Sequence, residues 1–103
     1  MWAQLITARL KPGRENDLAG LLEQVRTIEQ AGSGLVRTTV MRDQNDPNRV
    51  SILVVFESEE KARARENDPR RQEGMQAVVA TMADMFDGAR EFVDLSVVDE
   101  WSG

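Results

Sequence analysis

Arg49–Glu57 reads RVSILVVFE and contains an unbroken apolar run from Ile52 to Phe56. Because the side chains of a strand alternate between the two faces of its sheet, this run places apolar groups on both faces. Such a strand belongs in the centre of a sheet that is covered on both sides. The remaining sequence supplies helices for one side only, and it therefore predicts that a partner covers the other side.

The composition indicates a single folded domain that spans residues 1–103. The net charge of −5 disfavours binding to nucleic acid or to an anionic membrane. The chain has no Cys and no His, so the commonest metal ligands and the commonest general base are absent. We therefore expect no metal site and no cofactor. No apolar run approaches the ~20 residues of a membrane helix, and no secretory signal is present, so we expect a cytoplasmic protein.

The spacing of apolar residues predicts the order strand, helix, strand, strand, helix, strand. A repeat of two residues indicates strands, whereas a repeat of three and four indicates helices. The predicted strands are Trp2–Leu10, Leu35–Arg42, Arg49–Glu57 and Glu91–Asp99. Leu35–Arg42 is half polar and β-branched, which is typical of an edge strand.

Two apolar stripes identify the helices that pack on this sheet. The first helix is predicted over Arg14–Ala31 and carries Leu18, Leu21, Leu22, Val25 and Ile28. The second stripe consists of Met75, Val78, Val79, Met82 and Phe86. A polar helical segment precedes the second stripe, with Ser58 and Asp68 as predicted N-caps and Pro69 at a first helical position.

This order predicts an α+β, ferredoxin-like βαββαβ fold. Right-handed crossovers give a four-stranded antiparallel sheet with strand order 4-1-3-2 and both helices on one face. The other face of Ile52–Phe56 would then meet water, and a contiguous exposed apolar patch usually marks an interface. A homodimer in which two sheets face each other is the simplest closure.

Four arginines form a basic cluster in the polar helical segment and just after it. Arg63, Arg65, Arg70 and Arg71 alternate there with glutamates. The cluster is either a solvated helical face or a site for an anion, and the sequence leaves both interpretations open.

Two segments resemble a known family. The phrase FESEEKARARENDP (Phe56–Pro69) and the closing DGAREFVDLSVV (Asp87–Val98) are similar to the antibiotic biosynthesis monooxygenase-like (ABM) family. The resemblance implies a dimeric α+β barrel. It also implies a functional range that includes cofactor-free oxygenases of aromatic polyketides, haem-degrading monooxygenases and quinol oxygenases.

Individual residues argue against the haem-degrading branch of that family. Counted from Phe56 without gaps, the position of the haem-ligating His falls on Met75, and the position of the pocket Trp falls on Arg65. The first strand offers Gln4 and Thr7 but no Asn, which also argues against that branch.

The resemblance therefore implies a cofactor-independent, monooxygenase-like protein that acts on a small aromatic or quinol-type substrate. The alternatives are a non-catalytic dimer that binds a small apolar ligand, or an accessory or regulatory dimer. No catalytic residue is identified. The candidate polar pocket residues are Gln4, Thr7, Arg9, Arg37, Thr39 and Asn67, and the candidate apolar ones are Trp2, Phe56, Met75, Val79, Met82 and Phe86.

We predict that the protein forms no specific haem complex, because it lacks His and Cys and has Met75 at the ligand position. Titration of the purified protein with haemin, followed at the Soret band, should show no saturable complex. A stoichiometric complex with submicromolar affinity would contradict this prediction.

Overall fold

The computed structural model describes residues 1–103 and contains one four-stranded antiparallel sheet. Its strands are β1 (Trp2–Arg9), β2 (Leu35–Arg42), β3 (Arg49–Phe56) and β4 (Glu91–Ser96), in the spatial order β2-β3-β1-β4. This is the predicted order, with β1 and β3 in the centre. The predicted ferredoxin-like α+β fold is therefore confirmed.

Three α-helices accompany the sheet: α1 (Leu18–Thr27), α2 (Glu59–Glu66) and α3 (Pro69–Met85). The Ser58 side chain accepts a hydrogen bond from the Lys61 backbone N–H at the start of α2, at 3.2 Å. Asp68 accepts from the Arg70 backbone N–H at the start of α3, at 2.9 Å. Both predicted N-caps are thus confirmed. None of the helices combines the length and the apolar character that a membrane crossing requires.

The first helix and the last strand are clearly shorter in the structure than their sequence patterns suggest, whereas β1 and β3 each end one residue early. The first helix does not fill Arg14–Ala31, because residues Glu15–Asp17 form a separate 3-10 turn and α1 ends at Thr27. Beyond it the chain turns through Gly32, at a positive φ of 77° that glycine adopts without strain. The last strand ends at Ser96 rather than Asp99.

The register between β1 and β3 assigns every side chain of the central strands to one of two faces. Trp2 lies opposite Phe56, and the pairing continues without a shift to Arg9 opposite Arg49. We call the face that packs on the helices the helix face; from β1 and β3 it includes Trp2, Gln4, Ile6, Ala8, Val50, Ile52, Val54 and Phe56. We call the other face the open face; it includes Ala3, Leu5, Thr7, Arg9, Arg49, Ser51, Leu53 and Val55.

The hydrophobic core lies between the helix face and the helices. The main cluster contains Ala8, Leu10, Leu18, Leu21, Val50, Val78, Met85 and Phe86. A smaller cluster beside it contains Trp2, Val54, Phe56 and Ala62.

Val79 does not belong to the buried stripe of α3, which corrects the sequence prediction. Val79 is 50% exposed, whereas Val78 is 1% exposed. Met75, Val78, Met82 and Met85 recur at three and four residues and so share one side of the helix, whereas Val79 is turned about 100° away from Val78.

A close approach between α3 and the end of α1 occurs at Gly74. A Cβ atom at this position would lie 2.8 Å from Cγ2 of Ile28, closer than packed carbon atoms approach one another. The missing side chain thus allows the two helices to lie this close together, and a larger residue would separate them.

The open face presents several large apolar side chains. Met41, Val93 and Leu95 are each 39–50% exposed. The C-terminal tail, residues 97–103, reaches over one end of this face, because Glu100 forms an ion pair with Arg37 at 2.5 Å on the opposite edge of the sheet.

We predict that Val78→Asp destabilises the protein strongly and that Val79→Asp does not. A carboxylate at position 78 would be buried without a partner, which costs more than about 3 kcal/mol. At position 79 the carboxylate would reach solvent, so the free energy of unfolding should change by less than about 0.5 kcal/mol. Thermal unfolding followed by circular dichroism tests the pair. Similar melting temperatures for the two variants would show that the buried side of α3 is assigned incorrectly.

Candidate functional site

A cavity of about 440 Å³ lies between the helix face of the sheet and helices α1 and α3. This volume is within the usual range for small-molecule sites, roughly 300–1,000 Å³. Hydrophobic residues account for 14 of its 21 lining residues. The polar lining residues are Gln4, Thr38, Arg65, Glu66, Arg71, Gln72 and Arg90.

Five of the candidate pocket residues line this cavity: Gln4, Phe56, Met75, Met82 and Phe86. They come from β1, the end of β3, and the buried side and end of α3. The structure thus brings together one of the polar candidates with four of the apolar ones.

The structure places four of the polar candidates on the open face, away from the cavity. Thr7 and Arg9 alternate with the helix-face residues of β1, and Arg37 and Thr39 lie opposite Val55 and Leu53 of β3. Arg9 forms an ion pair with Asp46 at 2.6 Å. These side chains could reach a ligand only from the other side of the sheet.

The remaining candidates lie beside the cavity or on the surface. Trp2 is buried against Phe56, with ring centroids 6.0 Å apart, and Arg63 covers its ring. Asn67 caps the end of α2 and is exposed. Val79 faces solvent, as described above.

The four arginines of the basic cluster differ in how far their side chains are buried. Arg63 and Arg70 have side chains that are 41% and 69% exposed, whereas those of Arg65 and Arg71 are 12% and 14% exposed. The two buried arginines line the cavity, and they also line a smaller polar pocket of about 150 Å³ on the other side. They therefore form the wall between the two spaces.

Arg65 is held in place by an ion pair and an aromatic ring. Its Nη2 and Nε donate to Glu29 at 2.6 and 3.1 Å, and its guanidinium lies 5.1 Å from the centroid of Phe56. Burial opposes ionisation of Glu29, but the bonds from Arg65 and the charge of Arg71 outweigh it and keep the pKa of Glu29 below its usual value. The positive charge of Arg65 is thus balanced by the carboxylate of Glu29.

Arg71 has no comparable partner. Its Nη1 is buried and makes no hydrogen bond, and the nearest carboxylate oxygen, Oε1 of Glu29, is 3.8 Å away. Burial and the like charge of Arg65 lower the pKa of Arg71 from its ordinary value. Nη1 of Arg71 therefore has no hydrogen-bond partner, although its charge lies within ion-pair distance of Glu29.

Gln4 belongs to a network that runs from the cavity to the surface. Its Nε2 donates to Oδ1 of Asp94 at 3.0 Å, and Nη2 of Arg63 donates to Oδ2 of Asp94 at 2.9 Å. The hydrogen bond from Gln4, together with that from Arg63, holds the pKa of the Asp94 carboxyl below its usual value. With its amide nitrogen engaged, Gln4 retains its carbonyl oxygen as an acceptor.

The edge of the cavity nearest β4 is formed by Phe92 and Arg90, which were not among the candidates. The guanidinium of Arg90 lies 5.3 Å from the ring centroid of Phe92 and donates to the sulfur of Met82 at 3.3 Å. The alternation of Glu91–Asp99 separates Phe92 from Val93 and Leu95, but the sequence left open which of these two sets faces the helices. No sequence signal identifies Arg90.

The donor set of the cavity does not suit a metal ion. No three carboxylates are grouped closely enough to hold one. Met75 and Arg65 both line the cavity. They stand at the positions where the haem-degrading branch would have His and Trp. The lining is thus mainly apolar, with seven polar residues among the 21.

Comparison with known proteins agrees with this architecture. The family model described as antibiotic biosynthesis monooxygenase (ABM) matches residues 1–77. No curated protein matches the sequence.

Solved structures that carry the same family name include one from Nitrosomonas europaea, with 16% identity, a TM-score of 0.73, and coverage of 96% of this chain and 100% of that one. Another, from Chloroflexus aurantiacus J-10-fl, has 22% identity, a TM-score of 0.71, and coverage of 99% and 98%. A protein of Mycobacterium tuberculosis has 15% identity, a TM-score of 0.74, and coverage of 98% of both chains. At these identities the likeness concerns the fold alone.

The family model covers well over half of the 103 residues, and the strands and helices follow the order expected from the resemblance. The chain belongs to the antibiotic biosynthesis monooxygenase family.

Proposed function

We propose that this protein is a cofactor-independent monooxygenase that binds a small aromatic or quinol-type substrate in the cavity between the sheet and α1 and α3. The cavity carries the proposal: it has the volume of a small-molecule site, it is mainly apolar, and a few polar groups are fixed at its wall. The family membership agrees with this reaction class.

The reaction needs no metal if the substrate itself is electron-rich. An anthrone or quinol that loses a proton can pass an electron directly to molecular oxygen. A ring methylene group and one molecule of oxygen then give a ring carbonyl group and one molecule of water. One oxygen atom enters the product, and the other leaves as water with the two methylene hydrogens. The protein has to orient the substrate and stabilise its anion.

A second candidate is a non-catalytic protein that binds an apolar ligand. The observation that favours it is the lack of a suitable base. The cavity lining contains one carboxylate, Glu66, and it is already paired with the guanidinium of Arg63 at 3.2 Å. A substrate acidic enough to ionise by itself would remove this difficulty for the first candidate.

We also propose that the functional unit is a homodimer closed through the open face. Val93, Leu5 and Leu53 lie side by side in one row across β4, β1 and β3. Val93 is 50% exposed in the isolated chain. Burial of each large apolar side chain contributes roughly 1.5–3 kcal/mol, so two such faces should associate.

We expect Val93→Asp to dissociate the dimer, because it would bury two carboxylates without partners at the interface. Sedimentation equilibrium at low micromolar concentration should give twice the chain mass of 11.6 kDa for the wild type and the chain mass for the variant. Val79→Asp is the matched control, because Val79 is equally exposed but lies on α3. A folded wild-type monomer, or a dimeric Val93→Asp variant, would contradict this arrangement.

We expect wild-type protein to consume oxygen with at least one member of a panel of anthrones and quinols. Met75→Trp should fill the cavity and lower the rate at least about tenfold by displacing the substrate. The control is Gln76→Trp, which adds the same ring at the exposed neighbouring position. Oxygen uptake and substrate binding are measured on the same samples, and circular dichroism confirms folding.

These measurements distinguish the two candidate functions. Binding that Met75→Trp abolishes, without oxygen uptake by the wild type, would identify a non-catalytic binding protein. Oxygen uptake that is insensitive to Met75→Trp would show that the reaction takes place outside the cavity.

A further inference from the structure

The side-chain amide of Gln4 is held in one orientation by a residue outside the cavity. Gln4 lines the cavity from β1, whereas Asp94 lies opposite it on β4 and does not line the cavity. Nε2 of Gln4 donates to Oδ1 of Asp94 at 3.0 Å. Because an ionised carboxylate can only accept hydrogen bonds, the amide has to turn its NH2 group towards Asp94 and its carbonyl oxygen away from it.

Asp94 is itself fixed by Arg63. Nη2 of Arg63 donates to Oδ2 of Asp94 at 2.9 Å, so each carboxylate oxygen has its own donor. The hydrogen bond from Gln4, together with that from Arg63, keeps the pKa of Asp94 below its usual value, and the group is therefore ionised at neutral pH. The guanidinium of Arg63 also lies 5.0 Å from the ring centroid of Trp2, which anchors this end of the network.

The carbonyl oxygen of Gln4 is open to a ligand. No group of the protein donates to Oε1, and this oxygen is not buried. Its neighbours on the helix face are apolar, since Val54 lies opposite Gln4 on β3 and Trp2 and Ile6 flank it on β1. The arginines that line the cavity can only donate hydrogen bonds. Gln4 thus presents an uncharged acceptor among apolar side chains.

We propose that Asp94 is a positioning residue that keeps Gln4 as a hydrogen-bond acceptor, so that the cavity selects aromatic ligands with an un-ionised hydroxyl group. Such a hydroxyl donates to Oε1 of Gln4. A carbonyl or ether oxygen in the same place has no proton to donate, and its lone pairs would meet those of Oε1. The contact therefore favours a hydroxyl-bearing substrate over a quinone product. This inference rests on the proposed use of the cavity and specifies its substrate class.

The test measures the preference of the protein for 2-naphthol over 2-methoxynaphthalene, which has the same rings but no hydroxyl proton. Equilibrium dialysis at neutral pH, where 2-naphthol is un-ionised, should show that the wild type binds 2-naphthol at least about fivefold more tightly. One hydrogen bond to an otherwise unpaired acceptor accounts for a preference of this size. In Gln4→Met, which keeps the length of the side chain without the acceptor, the preference should fall to within about twofold.

Asp94→Asn should abolish or reverse the preference while leaving the shape of the site unchanged. Arg63 can only donate, so it retains the oxygen of the new amide and leaves the new NH2 group facing Gln4. The amide of Gln4 then has to turn over, and it presents its own NH2 group to the ligand. An ether oxygen can accept from that group. We therefore expect 2-methoxynaphthalene to bind within about twofold of 2-naphthol, or more tightly.

Asp84→Asn is the matched control. Asp84 is also paired with an arginine, Arg14, at 2.8 Å, but it lies on α3 and does not line the cavity. This variant should retain the full preference for 2-naphthol, and circular dichroism confirms the folding of each variant. Loss of the preference to the same extent in Asp84→Asn and Asp94→Asn would show a general effect of charge and would overturn the proposal.

Addition of Arg63→Met to Asp94→Asn separates orientation from a general structural effect. Without Arg63, the new amide at position 94 is free to turn its oxygen towards Gln4, and the amide of Gln4 can return to its original orientation. The double variant should therefore regain a preference of at least about threefold for 2-naphthol. A double variant without this recovery would show that Asp94 serves the fold rather than the orientation of Gln4.

The binding results also distinguish this inference from the proposed function. Equal binding of the two ligands by the wild type would overturn the selection of a hydroxyl group but leave the cavity as a ligand site. Binding of neither would overturn the use of the cavity and both proposals with it. A preference that survives Asp94→Asn unchanged would show that Asp94 does not set the orientation of Gln4.

Discussion

The antiparallel pairing of β1 with β3 is the interaction on which the rest of the structure depends. Its register runs without a break from Trp2 opposite Phe56 to Arg9 opposite Arg49. A shift of one residue would exchange the two faces of a strand. Leu5 would then face the helices, and Gln4 would leave the cavity. The cavity and the apolar open face are therefore two results of one register.

The fold could be predicted because it follows from periodicity and handedness, which are both properties of the chain. The candidate site could be predicted from the sequence only in part. Alternation along β1 separates Gln4 from Thr7 and Arg9 in the sequence itself, but only packing decides that the face of Gln4 borders the cavity. Val78 and Val79 are adjacent and equally apolar, and only the final rotation of α3 decides between them.

The basic cluster shows why the polar wall could not be predicted. A helix with an apolar stripe reveals which side it buries, but α2 is nearly all polar and contains only Ala62 as a buried residue. The burial of Arg65 results from packing against Phe56 and Glu29, which lie outside its own helix. Because an arginine keeps its proton at all physiological pH values, the charge of this wall does not change with pH.

Gly74 affects the width of the cavity although it does not line it. The residue does not line the cavity, but its contact with Ile28 sets the spacing between α1 and α3, whose other residues do. A methyl group at position 74 would have to push Ile28 or α3 away, and the walls formed by Leu22 and Met75 would move apart. The width of the cavity is thus governed partly by a position that does not line it, and variation there would change the volume of the cavity without changing any lining side chain.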